Sequence, residues 1–214
     1  LEEQVSVKEN AEQALREVQA KIDDQIEKLK AIAKTLFKSR QDTTKVISSS
    51  VESMLGELGI PDAKFEVRGV YTNVFAPKGA DEFEWVFSAN KGSALQDLKK
   101  VASGGELSRI TLAIKSLLAE FENLPTIVFD EIDTGVSGDI ATKMGSIMKK
   151  MSSSLQVISI THLPQIAGMG EQHFKVYKTT ENEKTKSNIK ILKGQERVVE
   201  LAEMLGGDKT SVSA

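Results

Sequence analysis

The chain has no cysteine, two histidines, four prolines and few aromatic residues. Without cysteine there is no disulfide and no thiolate metal site, and two histidines make a histidine-rich site improbable. No stretch approaches the roughly 20 apolar residues of a membrane-spanning helix, and no signal-peptide pattern opens the chain. Neither sign of charge dominates: 28 basic against 31 acidic residues leave a net charge of −3. Bulk charge therefore gives no support for strong nucleic-acid or membrane binding. A cytoplasmic protein without a membrane partner fits these absences. The 40% hydrophobic content over 214 residues suffices for a packed core in one or two domains. One further absence bears on chemistry. No GxxxxGK[ST] phosphate loop occurs, and the nearest approach, Gly56 to Lys64, lacks the glycine before the lysine. The chain opens at Leu1 inside a helical pattern and its tail 208–214 looks cut short, so a piece of a longer protein is expected.

What is present begins with a long segment lacking glycine and proline until Gly56. Leu1, Leu15, Ile22, Leu29 and Leu36 share one heptad position and Ala11, Val18 and Ile32 its partner, interrupted by Gln4, Lys8 and Gln25. This a/d seam predicts a coiled-coil strand whose mate lies elsewhere, or an amphipathic bundle helix. Past Phe37 the apolar positions broaden, as where a helix enters a globular body, and Gly59 and Pro61 end it. The expected domains are 1–58, a coiled-coil helix, and 59–214, a globular lobe.

Strand-like runs at 64–71 and 82–89, joined through Pro77–Gly79, predict a hairpin. A loop is expected over 90–100. A helix follows from Gly104 to about Asn123, with Leu107, Ile110, Ile114, Leu117 and Phe121 on its apolar face. Then come a strand at 126–130, a helix at 137–151 and a strand at 155–160. That order is a βαβ unit, so the two strands should run parallel. Strands at 172–179 and 188–193 around a polar turn at 180–187, and a helix at 196–205 stopped by Gly206 and Gly207, complete the pattern.

Three sites carry chemistry. Ser103, Gly104 and Gly105 open a helix where backbone N–H groups and the helix dipole suit an anion. The plain alternative is a capped helix, with Glu106 completing a capping box. Ile127–Phe129 form a continuous apolar run, as in a strand covered on both faces. Asp130 and Glu131 follow at its carboxyl end, where open α/β sheets bind ligands. An acid there can hold Mg²⁺ through water and the next can deprotonate an attacking water, or both are merely solvated. His162 stands at the tip of the strand predicted parallel to that one, and so at the same edge. His173, inside a strand, carries no functional weight.

The ordered set VASGGELSR (101–109), FDEIDTGVSG (129–138) and ITHLPQIA (160–167), with the terminal LAEMLGG (201–207), resembles the ABC-type ATPase heads of the SMC-like family, in particular its DNA-repair branch. The resemblance covers about the whole chain. It implies an α/β fold: the C-terminal part of a head with a P-loop NTPase-like, mainly parallel sheet and flanking helices, preceded by a coiled-coil return helix. It implies that SGGE is the signature, IVFDE is Walker B and His162 is the switch histidine.

Two such heads sandwich ATP. Ser103, Gly104, Gly105 and Glu106 then serve the partner's nucleotide. The resemblance further implies that Asp130 supports Mg²⁺, Glu131 is the catalytic carboxylate and His162 senses the γ-phosphate. Residues 133–137 take the D-loop place, with Ser137 where aspartate is common in ABC heads. Implied partners are the N-terminal half of the same head, with Walker A, a second head, and DNA, in a nucleoid-associated protein of double-strand-break repair and recombination. Two other readings stand: a nucleotide-binding transporter subunit, which the heptad helix disfavours, and a non-enzymatic coiled-coil scaffold. Lysines 175, 178, 184, 186, 190 and 193 cluster on the late hairpin. A solvated ribbon is favoured there over a DNA contact.

Overall fold

The computed structural model describes residues 2–101, 103–181 and 184–206. Leu1, Ala102, Gly207 and the tail lie outside the described residues, as do the side chains of Gln4, Lys8, Ala11 and Lys184. The chain divides into two compact units, residues 1–48 with 66–86, and residues 49–65 with 87–214.

Helix α1 spans Glu2–Glu57, as expected where good helix formers run without glycine or proline. It ends in a Schellman motif: Gly59 adopts φ 84, Ile60 N–H donates to Leu55 O at 2.8 Å and Gly59 N–H to Gly56 O at 3.2 Å. Ile60 and Leu55, the two positions whose apolar side chains accompany such a cap, are both buried. The heptad residues Leu15, Val18, Ile22, Leu29 and Ile32 are exposed, Leu15 to 71%.

Within the first unit, the Arg40 guanidinium meets Asp81 at 2.5 Å, and the Phe37 ring packs against Tyr71 and Phe83 at centroid distances of 5.8 and 6.2 Å. Strands β1 (Lys64–Ala76) and β2 (Gly79–Ser88) are longer than predicted. Only residues 77–78 form the turn, and β2 also pairs with the short β3 (Gln96–Asp97). With α2 (Leu98–Val101), β3 replaces part of the expected loop; both are too short to show a period.

The second unit holds the predicted βαβ element. Helix α3 (Gly104–Glu122) leads to β4 (Thr126–Asp130), α4 (Gly138–Met151) and β5 (Gln156–Ile160). β4 and β5 pair in parallel, with Thr126 opposite Gln156 and Asp130 opposite Ile160. Their core joins Ile127 and Phe129 to Leu58, Leu112, Met144, Met148 and Met151.

Two expectations fail here. α3 buries Ile110, Leu112, Ala113 and Ala119 while Leu107 and Phe121 are exposed, because apolar residues surround most of this helix and its periodicity selects no single face. Among the described residues the sheet is covered on one face only: Val128, Ile158 and Ile160 are exposed, and the packed residues meet the side bearing Ile127 and Phe129.

The short α5 (Pro164–Ala167), unpredicted, follows β5. The late hairpin β6 (His173–Glu181) and β7 (Lys184–Leu192) extends into the segment expected to be a turn. Polar cross-strand pairs sustain it: Thr180 Oγ1 lies 3.4 Å from Thr185 Oγ1, and Asn188 Nδ2 donates to Thr179 Oγ1 at 2.9 Å. Helix α6 (Gly194–Gly206) closes the described chain.

Candidate functional site

Parallel pairing brings the two acids and the histidine to one sheet edge. Asp130 is opposite Ile160, and Glu131 N–H donates to Ile160 O at 3.2 Å. His162 is two residues further along the neighbouring strand's exit. Asp130, Glu131 and His162 are all exposed. Glu131 adopts a left-handed backbone, φ 47, which is strained for a side chain with a Cβ. Thr134 holds that turn: its N–H and Oγ1 both donate to Glu131 O, at 3.2 and 2.9 Å.

Behind this edge lies a residue that the motif reading used only as part of a loop. Asp133 is 0% exposed. Its Oδ2 accepts the Thr161 hydroxyl and lies 3.6 Å from His162 Nδ1, while the His162 side chain is 69% exposed. Thr161 Oγ1 in turn accepts Leu163 N–H at 3.0 Å. The signal for Asp133 was its place between the apolar Ile132 and Val136, both buried.

The first turn of α3 is built as the plain alternative expected. Ser103 is the N-cap, with a complete capping box: Glu106 N–H donates to Ser103 Oγ at 3.4 Å and Ser103 N–H to Glu106 Oε2 at 2.9 Å. The box occupies two donors of the turn, leaving the amides of Gly104 and Gly105 for an anion. Space beside Gly104 is open, whereas a Cβ on Gly105 would meet Gly135 O at 2.6 Å. This turn therefore packs on the loop that follows the acids, and Ser108 Oγ donates to Thr134 O at 3.2 Å. Arg109 ties the same turn to the end of α1, through Gly105 O at 2.9 Å and Leu58 O at 3.2 Å. Ser137 is the N-cap of α4 in extended backbone, with no side-chain capping bond.

The donor set suits Mg²⁺ with ATP. Asp130 and Glu131 are hard oxygen donors. Among the described residues no group of three acids or histidines could hold a metal by itself. Mg²⁺ keeps several waters and takes phosphate oxygens, so one or two carboxylates suffice.

The late hairpin is less cationic than its lysine count suggests. Lys175 pairs with Glu200 and with Glu203, and the Glu200 hydrogen bond holds its ammonium above the usual lysine range. Lys190 pairs with Glu196 at 2.6 Å. Among the described residues no helix is long and apolar enough to cross a membrane.

No family model matches the sequence. The DNA repair protein RecN of Vibrio cholerae is 34% identical over 212 residues, 99% of this chain and 38% of the relative. RecN of Rickettsia conorii is 41% identical over 82% of this chain and 32% of the relative. RecN of Bacillus subtilis is 33% identical over 97% and 38%. The chain thus spans about two fifths or less of the length of these relatives. In fold it matches the Smc head domain with a coiled coil and joint derived from Pyrococcus yayanosii, at TM-score 0.59 and 20% identity, over 76% of this chain and 30% of that one. It also matches a chain from structural biochemistry of ATP-driven dimerization and DNA-stimulated activation of SMC ATPases, at TM-score 0.55 and 15% identity, over 78% and 96%. The sequence is RecN-like over most of its length, on an SMC-head α/β fold with a long N-terminal helix and a parallel strand pair.

Proposed function

We propose that this RecN-like chain with an SMC-head fold is the C-terminal part of an ATPase head in a protein of DNA double-strand-break repair and recombination. In this reading residues 1–58 are the return strand of a coiled coil. Residues 59–214 carry the signature, Walker B and the switch histidine. The observation that supports it most is the parallel register of β4 and β5, which sets Asp130, Glu131 and His162 on one edge. Asp130 holds Mg²⁺ through water, Glu131 accepts the proton of the attacking water, and His162 senses the γ-phosphate through that water, accepting its second O–H. Bound ATP supplies the phosphoryl group and, by bridging two heads, the engagement signal.

Ser103, Gly104 and Gly105 present the first turn of α3 to the nucleotide of a second head. Glu106 serves by holding Ser103 in that turn, and Ser137 occupies the D-loop. The N-terminal half of the same head brings Walker A and covers the open sheet face. The coiled coil carries the engaged state to DNA. The protein is cytoplasmic and gathers on the nucleoid.

In the intact protein, Glu131→Gln should keep ATP binding within about twofold and lower turnover by at least about 100-fold. Turnover near that of the parent would remove Glu131 from this role. The 214-residue chain alone, without a phosphate loop, should show no Mg²⁺-dependent hydrolysis in the same assay.

A further inference from the structure

We propose that Asp133 and Thr161 are positioning residues for His162, a buried acid and its hydroxyl clamp that set which imidazole nitrogen faces outward. A carboxylate taken out of water is costly unless its charge is used or compensated. Asp133 is 0% exposed, and its Oδ1 has no hydrogen-bond partner among the described residues. Only Oδ2 is engaged. It accepts the Thr161 hydroxyl and faces His162 Nδ1 at 3.6 Å. That gap exceeds an ordinary N–H···O bond, and a small rotation of the exposed ring closes it. Catalytic hydrogen bonds commonly tighten in this way when a substrate binds.

Thr161 is fixed on both sides, donating to Asp133 and accepting Leu163 N–H at 3.0 Å. His162 therefore sits between two tethered residues, with an acid beneath it. A carboxylate facing Nδ1 selects the tautomer with the proton on Nδ1. Nε2, with its lone pair, is then turned to the open edge shared with Glu131. Thr161 keeps Oδ2 aimed at the ring rather than rotated away from it.

This inference rests on the reading of His162 above, but its test does not depend on that reading alone. The intact protein would be treated with diethylpyrocarbonate at fixed pH. Acylation of His162 would be followed by mass spectrometry, with His173 as internal reference. The reagent attacks the imidazole nitrogen that has a free lone pair. Asp133→Asn and Thr161→Val should slow acylation of His162 by about threefold or more and leave His173 unchanged. Steady-state ATP turnover should fall about tenfold or more in kcat, with KM within about twofold. Thr161→Ser, which keeps the hydroxyl, should behave as the parent in both assays.

Unchanged acylation of His162 in Asp133→Asn would overturn the proposal. So would Thr161→Val and Thr161→Ser behaving alike, or His173 shifting together with His162, which marks general loosening. A parent protein without ATP turnover would overturn the ATPase reading, while the acylation comparison would still decide the positioning role.

Discussion

Gly105 and Gly135 each occupy space that a methyl group would need. A Cβ on Gly105 meets Gly135 O at 2.6 Å, and one on Gly135 meets Gly105 N at 3.0 Å. These are backbone atoms in a capped turn and a tight loop, so neither can yield cheaply. Gly105→Ala should destabilise this contact by about 1–3 kcal/mol, whereas Gly104→Ala, with nothing near its Cβ position, should change little. Hydrogen exchange over residues 103–108 and 133–137 checks this: both segments should exchange faster together in Gly105→Ala and stay slow in Gly104→Ala. At this scale the sequence was legible where a residue type has a local meaning. Ser103 and Glu106 read as a capping box from their spacing alone. Asp133 did not: its neighbours Ile132 and Val136 hint at burial, but its partners Thr161 and His162 arrive only with β5 beside β4, and no local pattern encodes that pairing.

Elements were legible in proportion to their length and the clarity of their ends. α1, α3, β4, α4 and β5 lie within a residue or two of expectation, since glycine stops, a serine cap and apolar runs mark them. α2, β3 and α5 are shorter than any period. The late hairpin was underestimated because a ribbon wet on both sides needs no alternation of apolar residues. That hairpin also carries a pH dependence. Burial first, then the charge of Arg197, pushes the His173 pKa below its usual 6.5, and its Nδ1 is buried without a hydrogen-bond partner. The unfolded chain therefore binds more protons than the folded one below that value. The contribution is fully present above pH 6.5 and is lost as pH falls through the window beneath it. His173→Gln should flatten this trend. Trypsin cleavage within β6, compared between parent and variant at about pH 7 and about pH 5.5, should converge at the higher pH and diverge at the lower.

For the whole molecule, net charge and the pairing of Lys175 and Lys190 with acids of α6 argue against the hairpin as a phosphate contact. Charge reversal at Lys178 and Lys186 in the intact protein should leave the salt dependence of DNA binding unchanged. A drop in slope of about 0.9 per lost contact would place DNA on this ribbon. The sheet's open face was the larger surprise at this scale: an apolar run reads as two-sided cover, but what packs on each face is set by distant residues and is not written in the run. The left-handed backbone of Glu131 also has a global consequence, because folding stability is a property of the entire protein. A glycine there would relieve strain of order 1 kcal/mol while deleting the carboxylate. Selection for heat resistance alone and selection for turnover should then pull this codon in opposite directions. In a library of intact protein sorted only for thermal survival, glycine should be enriched at position 131; in one sorted for DNA-damage resistance in cells, the proposed role of Glu131 requires that it vanish.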